Sequence, residues 1–590
     1  MNSYRHFGLA AYVYAYYLEG KTEKQIQADI DAFRAVAPLD KVYLETHRAL
    51  VDISDEQMAM AKAVFARNGI KVSGGITTTG KVGERKPAIF DCYCYSDEAH
   101  RSAVLDIVRR TAKLFDEFIL DDYYFNSCRC EKCIEQKGQR SWAEFKLEQM
   151  EAFSRELVNA AKEVNPACRC IIKYPNWYEA YQECGYNPGK QKDIFDAIYT
   201  GTETRMSSYD GQHLQRYLSF GIVRLMENTA PGRNGGGWID PWGSQSNISR
   251  FVQQGAYTVF AKARELMLFN FELMLHSPML GALAAELRRV DNVLGQLGKP
   301  NGVSTYEPHD SDGEDQLPGY LGLCGIPLEM TPEFDEDAPV MLLTENSAYD
   351  KDIMAKLEKY VRTGGVAIVT SGFVKAMEER GIRQMTSVKV TNRKVSGTRY
   401  QLTNLNISTY NVHVADEPAM FTVMQHKNNA TWYDVLLHVN DFSTPVMTED
   451  QYGRGFLYIL NIPDNYGDLY RLPREVIGAI NKNFARKGQL FLTVNPRYSL
   501  FNYDNDTFCV YNLNEFKTPA EVTVLGEEFA GIEDIETGMR YTTPVRVNPR
   551  PRRGGDCATC REEPLEQVFE LHVAAGDWKC YRLIRRNDEK

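Results

Sequence analysis

EFILDDYYFNSCRCEKC, residues 117–133, is the stretch on which the fold turns. Its apolar run is too short for a helix and closes on Asp121 and Asp122, the profile of a buried strand with polar groups at its end. Helical patterns flank it, Asp97–Leu114 before and Ser141–Val164 after. The same phrase of strand, turn and helix recurs along the first 300 residues. Strands are expected at Gly8–Tyr17, Lys41–Thr46, Lys71–Ile76, Glu117–Asp122, Cys170–Tyr174, Ala197–Gly201, Val223–Met226 and Met267–Phe271. Further helical patterns cover Thr22–Ala37, Asp55–Arg67, Asp210–Phe220, Asn247–Lys262 and Leu280–Leu297. Eight such units in about 290 residues predict an α/β fold, a closed (β/α)8 TIM barrel. An open doubly wound sheet is the alternative, and the lack of a phosphate-binding glycine fingerprint speaks against it.

Composition narrows the functional classes. The 590 residues are 43% hydrophobic and 25% charged, an ordinary globular balance, and the formal charge of −11 argues against a nucleic-acid partner. The most apolar stretch, Leu266–Leu287, is broken by Asn270, Glu272, His276 and Pro278, so no membrane association is expected. The N-terminus reads as a first strand, not as a signal peptide. With 13 cysteines, several at metal-like spacing, a cytoplasmic protein is expected, or a periplasmic one if a signal precedes this chain.

Beyond the barrel, Lys299–Pro332 is rich in Pro, Gly and Asp and reads as its exit. Residues 301–385 then read as a compact α/β domain of the flavodoxin-like or glutamine-amidotransferase-like kind, with a Gly-Gly turn before the strand Val366–Thr370. Short strands dominate 386–590, which predicts a C-terminal β-sandwich. Asn548–Pro564 reads as a surface loop.

In a barrel the chemistry sits at the C-terminal ends of the strands. The expected strand ends carry Glu45, Asp121, Asp122, Lys173, Trp177, Glu203, Glu227 and Glu272. Any one of these acids is equally well a salt-bridge partner of Lys173, Arg205 or Arg224. A whole ring of them is not, because barrel interiors are filled with branched apolar side chains. Carboxylates facing each other across a cavity are what glycosidic cleavage uses. Trp177, Trp238, Trp242, Tyr123 and Tyr124 are rim aromatics that would wall a sugar site, and Arg233 and Asn234 in a Gly-rich stretch would bind hydroxyls. Cys128, Cys130 and Cys133 form C-x-C-x2-C behind Asp122, and Cys92 and Cys94 lie in the preceding loop. Four thiolates from adjacent loops would make a structural zinc site, with Cys92 or Cys94 as the fourth ligand. Cys557-x2-Cys560 is a weaker pair.

The cysteine loop behind a strand-four carboxylate, together with the segment LMENTAPGRNGGGW at 225–238, resembles the family-42 β-galactosidases. The domain order is similar as well. The resemblance implies Glu227 as nucleophile, Asp122 as general acid in place of the family's Glu, and Asp121 in place of its Asn. It further implies that Glu45, Lys173, Trp177, Glu203, Asn228, Trp238 and Glu272 contact substrate, with no organic cofactor. The implied activity is an exo-acting glycoside hydrolase removing a terminal, β-galactoside-like sugar from an oligo- or polysaccharide. The implied assembly is a homo-oligomer, a trimer before a dimer. A shorter Asp in the acid position would widen the carboxylate gap toward the spacing of inverting enzymes. Two alternatives stand beside this reading: an α-glycosidase with Asp122 as nucleophile and Glu203 as acid, and a barrel that binds carbohydrate without turnover.

Overall fold

The computed structural model describes residues 2–80, 92–244, 247–402, 411–426, 430–486, 488–547 and 564–586. The chain divides into two compact units at 295/296.

The first unit is the closed barrel. Its parallel strands are β1 (Gly8–Val13), β2 (Lys41–Arg48), β3 (Lys71–Ile76), β4 (Glu117–Leu120), β5 (Arg169–Tyr174), β6 (Ala197–Gly201), β7 (Asn234–Ile239) and β8 (Glu265–Phe269). Each pairs with its neighbours in chain order, and β1 closes the ring by pairing with β2 (Ala10 opposite Lys41) and β8 (Gly8 opposite Glu265). Strands buried on both faces need no alternation, which is why EFIL and ELMLF read as plain apolar runs. The helices between them start at clear caps. Thr22 and Gln25, and Ser141 and Glu144, form capping boxes, and the Asp97 side chain accepts from the amides of Ala99 and His100. Tyr12, Tyr43, Ile119, Ile171, Tyr199, Trp238 and Met267 fill the barrel interior.

One unit of the repeat departs from the expected register. Residues 223–226 are not a strand but part of the helix Leu218–Thr229, and the seventh strand is NGGGWI at 234–239. The helix is buried on nearly every side, so no polar face gave away its 3.6-residue period. The strand, conversely, is glycine-rich for a packing reason. A Cβ on Gly236 would lie 2.1 Å from the Glu265 carbonyl oxygen, and one on Gly237 would lie 2.2 Å from Thr258 Cγ2. Arg233 and Asn234 therefore stand at the N-terminal end of β7, not in a rim loop.

In the second unit one sheet runs from Val303 to Leu460. Its parallel strands are β9 (Val303–Tyr306), β10 (Leu328–Thr331), β11 (Met341–Leu343) and β12 (Val366–Thr370). Next come β13 (Lys389–Leu402), β14 (Asn411–Gln425), β15 (Thr431–Val439), β16 (Phe442–Tyr452) and β17 (Gly455–Leu460). The order is β10-β9-β11-β12-β17-β16-β15-β13-β14, parallel from β10 through β17 and antiparallel beyond. The boundary expected at 385/386 thus falls inside a single sheet. β17 returns to pair with β12 and welds the two halves together. From Leu490 onward the chain forms a four-stranded and a five-stranded antiparallel sheet, and Cys509 is disulfide-bonded to the directly opposite Cys580. Cys557 and Cys560 lie outside the described residues.

Candidate active site

The C-terminal ends of the barrel strands converge on one buried ammonium. Lys173, on β5, is almost wholly buried. Its Nζ donates to Asp122 Oδ2 at 2.8 Å and to Glu203 Oε1 at 3.0 Å, with Asp121 Oδ1 at 3.7 Å. The same Nζ sits 4.3 Å from the ring centroid of Trp238 on β7. Asp121 and Asp122 directly follow β4, and Glu203 follows β6 by two residues. One side chain therefore ties together groups from three neighbouring strands. A second cation braces the other flank. Arg48 donates to Glu45 through Nε at 2.9 and 3.0 Å, and to Asp121 through Nη2 at 2.9 Å. Glu45 also accepts from the Tyr12 hydroxyl at 2.8 Å, the Ala15 amide at 2.7 Å and the Thr77 hydroxyl.

The electrostatics follow from this packing. Arg48 and Lys173 are the cations bonded within this cluster of acids, and Arg205 adds a further positive charge beside Glu203. Burial pushes the Asp122 carboxyl up to about 6, against the pull of Lys173 and with the help of Asp121 and Glu203. Burial also raises Glu203, again opposed by Lys173. Asp121 is more deeply buried than Asp122, yet Lys173 and Arg48 together hold it below the ordinary carboxylate range. Of the three, Asp122 is the most solvent-accessible, and Glu203 Oε2 is buried with no hydrogen-bond partner. That oxygen lies 2.7 Å from where a Cβ on Gly201 would sit, so β6 must end in glycine for Glu203 to lie where it does.

A second layer adds Asp240, which follows β7. It is held by Arg205 through two bonds, Nε to Oδ1 at 3.1 Å and Nη2 to Oδ2 at 2.7 Å. Gln212 links Arg205 to Asn176, whose amide donates to the Glu203 carbonyl at 2.6 Å. After β8, Glu272 accepts from the Tyr14 hydroxyl at 2.6 Å. Trp177, after β5, packs among Phe125, Tyr181 and Tyr186.

The structure thus brings Asp121, Asp122, Lys173, Glu203, Glu45 and Trp238 into one cluster. It does not bring Glu227 or Asn228 there. Both lie near the end of the helix Leu218–Thr229, and Glu227 is clamped by Arg264, at 2.7 and 2.9 Å, and by the Gly232 amide at 2.9 Å. Arg264 and Gly232 immediately precede β8 and β7, so this ion pair is at the N-terminal end of the barrel, a strand length of ~17–20 Å from the cluster. Although partial burial opposes it, Arg264 and the amide keep Glu227 below the ordinary range. It is a structural carboxylate, and the strand-end position expected for it belongs to Asp240. Arg224, in the same helix, donates to the Ala261 carbonyl oxygen instead of an active-site acid. Arg48 and Asp240 escaped sequence reasoning. The signal for Asp240 is the dipeptide Ile239-Asp240 closing a glycine-rich strand.

The cysteine site is compact. Cys94, Cys128, Cys130 and Cys133 bring their sulfurs within 4.8 Å of one another. Cys94 lies 3.8 Å from Cys130 and 3.6 Å from Cys133, and Cys130 lies 3.8 Å from Cys133. Tetrahedral zinc with Zn–S bonds of about 2.3 Å requires sulfurs about 3.8 Å apart, so the donor set fits that ion. Cys94, not Cys92, is the fourth sulfur of the group; Cys92 bridges to Thr79 through the backbone.

Residues 1–285 match the family model described as "Probable glycosyl hydrolase, catalytic domain", and residues 298–465 match "Uncharacterized protein SSO3021, second domain". The uncharacterized protein SSO3021 of Saccharolobus solfataricus is 27% identical over 421 residues, 64% of this chain and 69% of that protein. Among solved structures, the β-galactosidase of Bacillus circulans sp. alkalophilus superposes with a TM-score of 0.61 at 10% identity, covering 98% of this chain and 99% of that one. Gan42B, a GH42 β-galactosidase from G. stearothermophilus, gives 0.61 at 12% identity over 98% of each chain. The exo-β-1,4-mannosidase Op5Man5 from Opitutaceae bacterium strain TAV5 gives 0.53 at 10% identity, covering 81% of this chain and 96% of that one.

Proposed function

We propose that this glycoside hydrolase, built on a GH42-like barrel, removes a terminal β-linked sugar with net retention, using Asp122 as acid/base and Glu203 as nucleophile. The observation that carries the pairing is the shared ammonium. Both carboxylates contact Lys173 Nζ, at 2.8 and 3.0 Å, so their bonded oxygens are less than about 6 Å apart, near the ~5–5.5 Å of retaining enzymes. The expected widening toward an inverting gap concerned Glu227 as partner and falls with it.

Asp122, raised to about 6, is protonated in mild acid and donates its proton to the glycosidic oxygen as the bond to the anomeric carbon breaks. The Glu203 carboxylate, whose charge Lys173 favours against burial, forms the bond to that carbon. Asp122, now ionised, takes a proton from water, whose oxygen displaces Glu203 and restores both groups. Lys173 is a positioning residue: it sets the gap and offsets part of the cost of an ionised nucleophile. Asp121, Glu45 and Arg48 form a rigid polar wall suited to sugar hydroxyls, and Trp238 backs Lys173 from the barrel interior. Support for an exo-acting, galactoside-like specificity is limited to the activities of the similar solved structures. A zinc ion held by Cys94, Cys128, Cys130 and Cys133 would be structural, because four thiolates leave no open position for water. It would fix the loop that follows Asp122.

The second reading exchanges the roles, with Asp122 as nucleophile and Glu203 as acid; the burial that raises Glu203 favours it. The test is release of p-nitrophenol from a panel of α- and β-glycosides by the wild type, Asp122→Ala, Glu203→Ala and Glu227→Gln. The two cluster variants lose several orders of magnitude and Glu227→Gln keeps its rate. Azide separates the roles. It rescues a nucleophile variant with an inverted glycosyl azide and an acid/base variant with a retained one. Sugar binding without release of any aglycone would leave a carbohydrate-binding barrel.

A further inference from the structure

Large apolar side chains on the barrel surface are distributed unevenly. Among the described residues of the barrel unit, those that stand exposed are Tyr16, Leu50, Ile134, Tyr209 and Trp242. Every one follows the C-terminal end of a strand, on the face that carries the carboxylate cluster. The opposite face has none. Leaving a Tyr 87% exposed (Tyr209), another 50% (Tyr16) and a Trp 45% (Trp242) forgoes the burial that normally stabilises such groups.

The three aromatics also fall on one side of the ring. Tyr209 follows β6, Trp242 follows β7, and Tyr16 follows β1, so with β8 they span one arc of adjacent strands. Two members of the arc are tied to the site. The Trp242 amide donates to Asp240 Oδ1 at 3.2 Å. Tyr16 packs edge-on against Tyr14 at 5.8 Å between centroids, and the Tyr14 hydroxyl is bonded to Glu272. Between them, Gly243 brings the β7 loop close to the β6 loop: a Cβ there would lie 3.4 Å from Arg205 Cβ and 3.7 Å from Asp210 Oδ2. Planar rings on a polar, carboxylate-rich rim match the apolar faces of pyranose rings with hydroxyls around their edge. The charge balance of the same face, with more carboxylates than the cations Arg48, Lys173 and Arg205, repels anionic sugars.

From this arrangement we propose that Tyr16, Tyr209 and Trp242 form a stacking platform for the sugar rings beyond the one that is cleaved, so that the substrate is a neutral oligo- or polysaccharide rather than a small glycoside. The inference rests on the glycosidase reading above. With a terminal sugar in the cluster, every further ring of the chain lies on the leaving-group side, and the arc is the surface that receives it.

The test compares the full chain with the double variant Tyr16→Ala/Tyr209→Ala on the p-nitrophenyl glycoside it hydrolyses and on oligosaccharides of the same sugar of increasing length. In the wild type, kcat/KM rises with each added unit and then levels off. The double variant keeps the aryl-glycoside rate and loses the gain from length, by about tenfold per ring removed. An unchanged length dependence in the variant overturns the platform. So does a drop in oligomeric state with the length dependence intact, because the arc is then a contact between copies of the chain. A binding arm keeps the two readings apart if nothing is hydrolysed. Asp122→Asn is run in native gels containing neutral polysaccharides, with and without the double substitution. Retardation that disappears in the double variant upholds the platform although catalysis has failed, and the absence of retardation by any polysaccharide overturns it.

Discussion

Asp122 is the residue on which the pH behaviour of the chain turns. Its folded-state value of about 6 lies above that of an exposed aspartate, so it holds a proton that an unfolded chain would release. A general acid must carry that proton, and kcat/KM is expected to fall as pH rises through about 6. Lys173→Met removes the cation that opposes protonation and should move this limb to higher pH; a pH–rate profile of wild type and variant checks it. A limb that stays in place would assign it to another group. The sequence displayed Asp121, Asp122, Lys173, Glu203 and Glu45 as strand-end polar residues, since each follows or closes a strand of ordinary apolar character. Glu227 was misplaced because the similarity of LMENTAPG to a nucleophile segment carries no register, and a carboxylate two turns into a buried helix has the same neighbours in sequence as one at a strand end. Only the Arg264 clamp tells them apart, and a contact 37 residues away is not legible in a pattern.

Among the elements, seven of the barrel strands were readable because branched apolar runs announce buried strands. The seventh was hidden by NGGGWI, whose glycines answer to the close approach of Glu265 and Thr258 rather than to any strand preference. The loop after β4 makes the opposite case. Cysteine spacing announced the sulfur cluster, but choosing between Cys92 and Cys94 required the fold, since residues two apart in an extended segment share a side and the period-two pattern cannot separate them. Elemental analysis is expected to find one zinc per chain in the wild type and in Cys92→Ser, and none in Cys94→Ser. A chelator that strips the zinc should lower the melting temperature and the glycosidase rate together, because the helix Glu131–Lys137 and the segment after Asp122 lose their tie. Equal zinc content in both variants would dissolve the four-sulfur site.

At the scale of the whole molecule, the barrel and the sheet-rich region that follows it were legible, but not where the second part ends. The long strands β13–β16 have the turns and alternation of an all-β domain, and nothing local tells that β17 will return to pair with β12. The second unit also carries a pH liability of its own. Glu307, directly after β9, is buried, with Asn346 its one side-chain donor among the described residues, and burial beside Asp315 and Glu314 pushes it up to about 8; burial likewise pushes Glu314 up to about 7. Both folded values exceed the unfolded ones, so stability is greatest in mild acid and declines as pH rises through 7 and 8. Glu307→Gln should therefore gain roughly 1–3 kcal/mol over the wild type at pH 9 and little at pH 5, as thermal or urea unfolding would reveal; an equal shift at both values would rule the mechanism out. Lys173 bears finally on how such a chain can diverge. Asp122 and Glu203, from the strands on either side, lean on one ammonium, so loss of the lysine alone leaves two buried acids without their shared cation, and descendants that abandon it are expected to have replaced Glu203 and Asp122 with it, as one inherited block.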